Sequence, residues 1–205
     1  MLIRAVCLSL VFMALGATQN LARADFDSAA EALKNGDIDG GLREMEVVAG
    51  SGDPRAQDAL ATMYLKGIGV TRDVRAAMSW YCMLAHYRQG GQGVMHAVWI
   101  LAEWFRTGGG VPGQGYNDGK PENEDPLRAY FWFSVMAQQD DLYEEADDKS
   151  VRLGKIGMTR VGRVLYDEEK TALSAAVSRW RPAQPASTPR RCLETPGADF
   201  SAGPG

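Results

Sequence analysis

The sequence predicts an all-α protein, built as an α/α solenoid of helix–turn–helix repeats with degenerate capping helices. Two observations support this prediction: the middle of the chain repeats itself, and the apolar residues of each copy recur at helical spacing. The first block of matches pairs Ala56, Leu60, Ala61, Tyr64, Gly67, Gly69 and Val70 with Ala97, Leu101, Ala102, Phe105, Gly108, Gly110 and Val111. The second block pairs Asp73, Ala77, Trp80, Tyr81 and Ala85 with Asp125, Ala129, Trp132, Phe133 and Ala137.

Each type of matched position has a physical role. The first block places apolar residues at i, i+4, i+5 and i+8, which is one face of an α-helix. Gly67 and Gly108 stand where that helix should stop, the usual place for a left-handed residue that only glycine adopts at low cost. Asp73 and Asp125 are positioned to cap the second helix. The repeating unit is therefore a helical hairpin of roughly 40 residues.

The second copy carries 11 extra residues within Pro112–Glu124. The adjoining glycine-rich stretch Gly108–Gly115 does not suit a phosphate-binding loop, because it follows a helix and not a strand. An irregular calcium loop centred on Gly119 would place Gln114 and Tyr116 where acids are needed. We therefore interpret the insertion as a solvated acidic loop, and we predict no metal site and no cofactor.

The repeat pattern identifies a family resemblance. Each copy reads Ala-x3-Leu-Ala-x2-Tyr/Phe-x2-Gly-x-Gly-Val, followed by Asp-x3-Ala-x2-Trp-Tyr/Phe-x3-Ala, and it resembles the Sel-one-like repeat, a relative of the tetratricopeptide repeat. Full copies cover about 53–87 and 93–138, within a domain of residues 25–180. The resemblance implies a tetratricopeptide-like superhelix that serves as a non-catalytic adaptor. Alanine replaces the more usual glycine after the leucine, at Ala61 and Ala102.

Segments on both sides of the repeats are expected to be capping helices. A helix around Phe26–Lys34 and a second over about 37–49 form a degenerate copy before the repeats. After them, Leu142–Lys155 and Arg160–Trp180 are predicted as two further helices, with Thr159 capping the longer one. Solenoids need such atypical ends to cover their exposed faces.

Both termini differ in composition from the repeats. Residues 1–24 are predicted to be a signal peptide, because Arg4 precedes an apolar stretch of 13 residues and Ala22–Ala24 forms an A-x-A cleavage site. An uncleaved membrane anchor is the alternative. Residues 181–205 are rich in Pro, Ala, Ser, Thr and Gly and are predicted to be a disordered tail. We expect the protein to be periplasmic, or alternatively secreted.

Composition excludes several function classes. With 22 Lys+Arg against 26 Asp+Glu, the chain has a net charge of −4 and lacks the basic surplus of a nucleic-acid binder. Three cysteines are too few for a disulfide scaffold or a structural zinc site. A disulfide between Cys82 and Cys192 would tie the tail down, but a buried thiol at Cys82 and a free Cys192 are favoured.

A partner-binding surface is predicted on the first helices of the two repeats. Trp99, Glu103 and Arg106 recur every three or four residues and therefore share a helix face. Asp58 and Thr62 occupy the equivalent positions in the preceding repeat. In related solenoids this face is concave and binds ligands, which implies a protein or peptide partner here. The alternative is that a neighbouring helix packs over Trp99.

No catalytic residue is predicted, because His86 and His96 show neither triad nor metal-ligand spacing. The resemblance implies an exported adaptor or regulator in the bacterial cell envelope. Two alternatives stay open: an envelope hydrolase that uses carboxylates in the groove, and a secreted factor that binds host proteins.

Overall fold

The computed structural model describes residues 25–110, 119–144 and 147–182, which form α-helices joined by turns. The helices are α1 (Phe26–Lys34), α2 (Ile38–Gly50), α3 (Pro54–Lys66), α4 (Val74–Ala85), α5 (Gln92–Arg106), α6 (Pro126–Ala137), α7 (Gln139–Leu142), α8 (Asp148–Val161) and α9 (Asp167–Arg179). A short 3-10 helix, Pro121–Asn123, precedes α6. The chain divides into two compact units between Met45 and Glu46. The predicted all-α solenoid of helical repeats is confirmed.

The N-terminal unit contains α1 and most of α2, which confirms the two helices predicted there. The Asp25 carboxylate accepts a hydrogen bond from the Ser28 amide at 2.8 Å and so caps α1. The Ser28 hydroxyl donates to Glu44 at 3.1 Å, which links α1 to α2 within this unit.

The two repeat hairpins, α3–α4 and α5–α6, start and stop where the sequence predicts. The carboxylates of Asp73 and Asp125 accept amide hydrogen bonds at 2.9 Å from the third residue beyond each cap. Gly67 and Gly108 adopt φ angles of +70° and +65°, the left-handed conformation expected after each first helix. The local signals of the repeat therefore determine its helix boundaries.

Both hairpins close with the same backbone hydrogen bond. The Asp73 amide donates to the Tyr64 carbonyl at 2.9 Å, and the Asp125 amide donates to the Phe105 carbonyl at 2.8 Å. In the second hairpin the Lys120 amide also donates to the Gly108 carbonyl at 3.1 Å. The far end of the insertion thus returns to the turn from which it departs, while residues 111–118 lie outside the described residues.

Successive helices of the second unit pack as neighbours. Helix α3 packs on α4, α4 on α5, α5 on α6, and α6 on both α8 and α9. All but one of the alanines of the repeat pattern are fully buried between these helices, the half-buried Ala137 being the exception, and Trp132 is 1% exposed. Burial of small residues allows the helices to approach closely, and the aromatic residues fill the remaining space.

The last two helices differ from the sequence prediction. Helix α8 starts later than predicted, because the Asp147 carboxylate accepts a hydrogen bond from the Ser150 amide at 2.8 Å and caps it there. The role predicted for Thr159 is wrong: Thr159 lies inside α8, where its hydroxyl donates to the Lys155 carbonyl at 2.9 Å. Helix α9 begins after Tyr166, whose amide donates to the Glu169 carboxylate at 2.8 Å.

Two glycines allow α8 to lie directly against α6. A Cβ atom at Gly154 would come within 2.6 Å of the Ala137 backbone nitrogen and 2.8 Å of the Phe133 carbonyl oxygen. A Cβ atom at Gly157 would overlap the ring of Phe133. The helix pair therefore depends on the absence of side chains at both positions.

Cys82 lies on α4, is fully buried and is disulfide-bonded, so the expectation of a buried thiol there is wrong. Cysteine pairing depends on distance in the fold, which the spacing of cysteines along the chain does not determine. Cys192 lies outside the described residues, as do the predicted signal peptide and all but the first two residues of the predicted tail. Among the helices of the described ranges, none is both long enough and apolar enough to cross a membrane.

Candidate functional site

Helices α3, α4 and α5 bring five polar and aromatic side chains together. The Thr62 and Tyr81 hydroxyl oxygens lie 3.5 Å apart. The Tyr81 ring meets the His96 ring edge-on, with centroids 6.0 Å apart, and His96 stacks on Trp99 at 6.3 Å. Asp58 joins this set through its electrostatic interaction with His96. We call Asp58, Thr62, Tyr81, His96 and Trp99 the groove cluster.

The groove cluster is partly removed from water. Burial raises the pKa of Asp58, and electrostatic interactions with His96 and Lys66 act in the opposite direction. Burial also raises the pKa of Tyr81, which is 1% exposed, and the nearby Asp58 carboxylate adds to that effect. His96 is exposed and Trp99 is half-buried, so both can contact a ligand.

His96 and Trp99 also form one wall of a cavity of about 300 Å³ between α5, α6 and α8. The other residues that line it are Met95, Met136, Asp147, Lys149, Ser150 and Leu153. Methionine and leucine side chains give the cavity an apolar interior, and methionines adapt readily to different ligand shapes. Asp147, Lys149 and Ser150 supply polar groups that can orient a ligand. We call this space the Trp99 cavity.

The rim of the Trp99 cavity is held in place by the segment before α8. Gln139 is fully buried, and its side-chain amide donates to the Asp147 carbonyl at 2.9 Å. The Asp147 amide donates back to the Gln139 side-chain oxygen at 3.3 Å. Hydrogen bonding from Ser150 lowers the pKa of Asp147, which keeps that carboxylate charged.

Glu103 and Arg106 lie further along α5 and pair with each other. The Arg106 guanidinium donates to one Glu103 carboxylate oxygen through two nitrogens, at 2.6 and 3.0 Å. Glu103 is 6% exposed, so its carboxylate is enclosed and already neutralised by this pair. Arg106 lies seven residues beyond Trp99, about 10 Å along the helix. The structure thus brings Asp58, Thr62 and Trp99 into one cluster and leaves Glu103 with Arg106.

Sequence reasoning missed three members of the site. Tyr81 appears in the sequence only as a packing position of the repeat, and His96 as an ordinary histidine. Lys149 lies beyond the recognised repeats. One signal was present for His96: it precedes Trp99 by three residues and so shares its helix face.

No metal site emerges from the part of the chain that the structure describes. In those ranges no three His, Cys, Asp or Glu side chains are grouped so that they could hold a metal ion. The loop positions considered for calcium, Gln114 and Tyr116, lie outside them.

Comparison with known proteins identifies the repeats. The family model of the Sel1 repeat matches residues 54–86 and 96–141. These segments coincide with the hairpins α3–α4 and α5–α6, and the second one extends through α7 almost to its end. Neither a curated protein nor a solved structure matches the chain.

Proposed function

The chain contains two Sel1 repeats, at residues 54–86 and 96–141, and on this basis we propose that it is a non-catalytic adaptor or regulator. Its partner is a peptide or protein that inserts an apolar side chain into the Trp99 cavity. The signal-peptide pattern of residues 1–24 supports export to the periplasm of a bacterial cell.

The Trp99 cavity is the observation that supports this proposal. It combines a partly exposed tryptophan with two methionines and a leucine, and it opens beside the cation of Lys149. Binding hot spots are often tryptophan side chains that lie in a desolvated pocket with polar neighbours. The walls of the cavity belong to α5, α6 and α8, and these helices pack on one another. Little ordering of the protein is therefore needed when a partner binds.

The proposal is tested by cross-linking the exported protein to its neighbours in the cell and purifying the products. We expect a discrete set of proteins to be enriched by the wild-type chain and lost with Trp99→Ala. Leu153→Glu, which changes the opposite wall of the cavity, should lose the same proteins. Ile68→Ala is the matched control, because Ile68 is a 55% exposed apolar residue that does not line the cavity.

Thermal melting of each variant separates lost binding from lost folding. If Trp99→Ala and Leu153→Glu remain folded and retain every cross-linked protein, the Trp99 cavity is not the binding site. Fractionation of periplasm and culture medium tests the location. Recovery of the protein mainly from the medium would replace the periplasmic proposal with that of a secreted factor.

A hydrolase is the second candidate, and Asp58 is the observation that favours it. A partly buried carboxyl group with a raised pKa beside a histidine is an arrangement found at acid–base sites. An enzyme should lose its cellular phenotype completely with His96→Gln or Asp58→Asn alone. A binding surface should instead weaken gradually and respond most to Trp99→Ala.

A further inference from the structure

A second surface, separate from the Trp99 cavity, lies on the outer side of α8. Between residues 148 and 163 the chain has five basic residues, Lys149, Arg152, Lys155, Arg160 and Arg163, and one acid, Asp148. This excess of positive charge contrasts with the net charge of −4 for the whole chain. The positive charge is therefore concentrated locally.

Part of this positive charge lines a groove. Two adjoining cavities of about 620 and 520 Å³ share Lys155, Thr159 and Arg163. Arg160 lines the smaller cavity, and Lys170 of α9 lines the larger one. We call the space lined by Lys155, Thr159, Arg160, Arg163 and Lys170 the basic groove.

The floor of the basic groove is aromatic. Tyr130 of α6 lines the larger cavity, and Gly162 leaves room beside its ring. A Cβ atom at Gly162 would lie 3.2 Å from the Tyr130 ring and 3.5 Å from a side-chain carbon of Lys170. Ile156 adjoins the groove and is 58% exposed. The groove thus offers apolar contacts between its cations.

The cations are available to an external anion. Lys155, Arg160 and Arg163 are exposed, and among the described residues none of the three forms an ion pair. Lys170 pairs with Asp167 at 2.9 Å, but the Asp167 side chain is 98% exposed, so this pair contributes little stability. Arginine side chains bind carboxylates in a fixed, two-point geometry.

The dimensions of the groove favour an extended peptide. Lys155 and Arg163 are eight residues apart on and just beyond α8, which corresponds to about 12 Å. An extended peptide spans that distance with about four residues, and its alternate side chains point to the same side. A broad anionic surface fits less well, because Asp167, Glu168 and Glu169 lie at the start of α9, next to Lys170.

We propose that the basic groove binds a short acidic segment of a partner protein, whose carboxylates contact Lys155, Arg160 and Arg163 while an apolar side chain contacts Tyr130. This surface does not depend on the Trp99 cavity. The proposal is therefore tested independently of the function proposed above.

The probe is a fluorescein-labelled peptide of alternating glutamate and leucine with a central tyrosine. Fluorescence anisotropy should detect binding to the full-length protein at low salt, and binding should weaken as salt is added. The double variant Arg160→Glu/Arg163→Glu should bind about tenfold more weakly or worse. Trp99→Ala should bind the probe like the wild type.

Matched controls separate the groove from net charge. Arg75→Glu/Arg179→Glu makes the same charge change at two exposed arginines that do not line the groove, and it should weaken binding by less than about threefold. A peptide with glutamine in place of glutamate should not bind. Circular dichroism should show the helix content of the wild type in both double variants.

Three results would overturn the proposal. The first is equal loss of binding in the two double variants, or equal binding of the glutamine peptide. The second is failure of the acidic peptide to bind, with phosphatidylglycerol vesicles binding through Arg160 and Arg163 instead. The third is self-association of the protein, seen by analytical ultracentrifugation, that only the Arg160→Glu/Arg163→Glu variant abolishes.

Discussion

The hydroxyl of Tyr143 donates a hydrogen bond to the Ala85 carbonyl at 2.6 Å, across 58 positions of the chain. Tyr143 is 6% exposed, so both atoms are shielded from water, and burial raises the pKa of the hydroxyl. The bond connects the segment between α7 and α8 to the C-terminal end of α4. It therefore joins a part of the chain near the end of the array to the first complete repeat.

Tyr143→Phe should lower the free energy of unfolding by about 1–3 kcal/mol, because the Ala85 carbonyl would remain buried without its partner. Tyr87→Phe is the matched control, since the Tyr87 hydroxyl bonds to Gln89 in an exposed position, and its loss should cost less than about 0.5 kcal/mol. Urea denaturation measures both values. Equal values for the two variants would contradict the structural role of the Tyr143 bond.

Gly157→Ala should destabilise the protein by about 2–4 kcal/mol, because the added methyl group overlaps the Phe133 ring and forces α8 away from α6. Gly93→Ala is the control within a helix. A Cβ atom at Gly93 meets nothing within 4 Å. The free energy of unfolding of this variant should therefore increase by up to about 1 kcal/mol, because alanine has the higher helix propensity. Thermal and urea unfolding test the opposite signs, and a stabilised Gly157→Ala variant would contradict the observed helix packing.

Replacing residues 112–124 with Thr-Arg, as found between Val70 and Asp73, should leave the fold intact. The hydrogen bond from the Asp125 amide to the Phe105 carbonyl closes the hairpin in the same way as the bond from Asp73 to Tyr64. Shortening a loop changes its closure entropy by only about 1 kcal/mol. Circular dichroism should show unchanged helix content. A large loss of helix would mean that the insertion supports the hairpin.

Stability should fall as the pH is lowered from about 6.5 to about 4, because His86 is half-buried among aromatic rings. Its ring lies 5.3 Å from that of Trp180 and 6.4 Å from that of Trp132, and burial lowers its pKa to about 4. In this window the unfolded chain binds the proton and the folded chain does not. The free energy of unfolding therefore decreases by up to about 3 kcal/mol. The stabilising effect is complete above pH 6.5.

Urea denaturation at several pH values measures this effect, and His86→Phe should remove most of the slope between pH 6.5 and 4. The aspartates with lowered pKa values, Asp53 and Asp147, lose their stabilising effect only at lower pH, as they become protonated. His96→Phe is the control at an exposed histidine. A slope that persists in His86→Phe and disappears in His96→Phe would contradict the assignment.

The sequence predicted the repeat hairpins because their signals are local. Asp73 and Asp125 cap helices within three residues, and Gly67 and Gly108 end them within one. The boundaries of α8 and α9 were missed because that region has no repeat signature. Thr159 resembled a cap in sequence, but its hydroxyl bonds within the helix.

The candidate site was predicted only where its sequence signals are also local. Spacing along a single helix placed Trp99 on the same face as Glu103 and Arg106, but contacts between helices depend on how each helix is rotated against its neighbour. The contact of Tyr81 with His96 and the opposite wall at Leu153 therefore required the fold. The enclosed ion pair of Glu103 with Arg106 could likewise not be distinguished from an exposed one by spacing.

The close approach of α8 to α6 also fixes the alignment of these two helices. If α8 slid along α6 by one helical turn, Ser150 or Met158 would replace Gly154, and Leu153 or Val161 would replace Gly157. Each of these residues brings side-chain atoms to a position where even a single Cβ atom does not fit. The two glycines thus select one register for the helix pair. That register also determines which α8 residues line the Trp99 cavity and which line the basic groove.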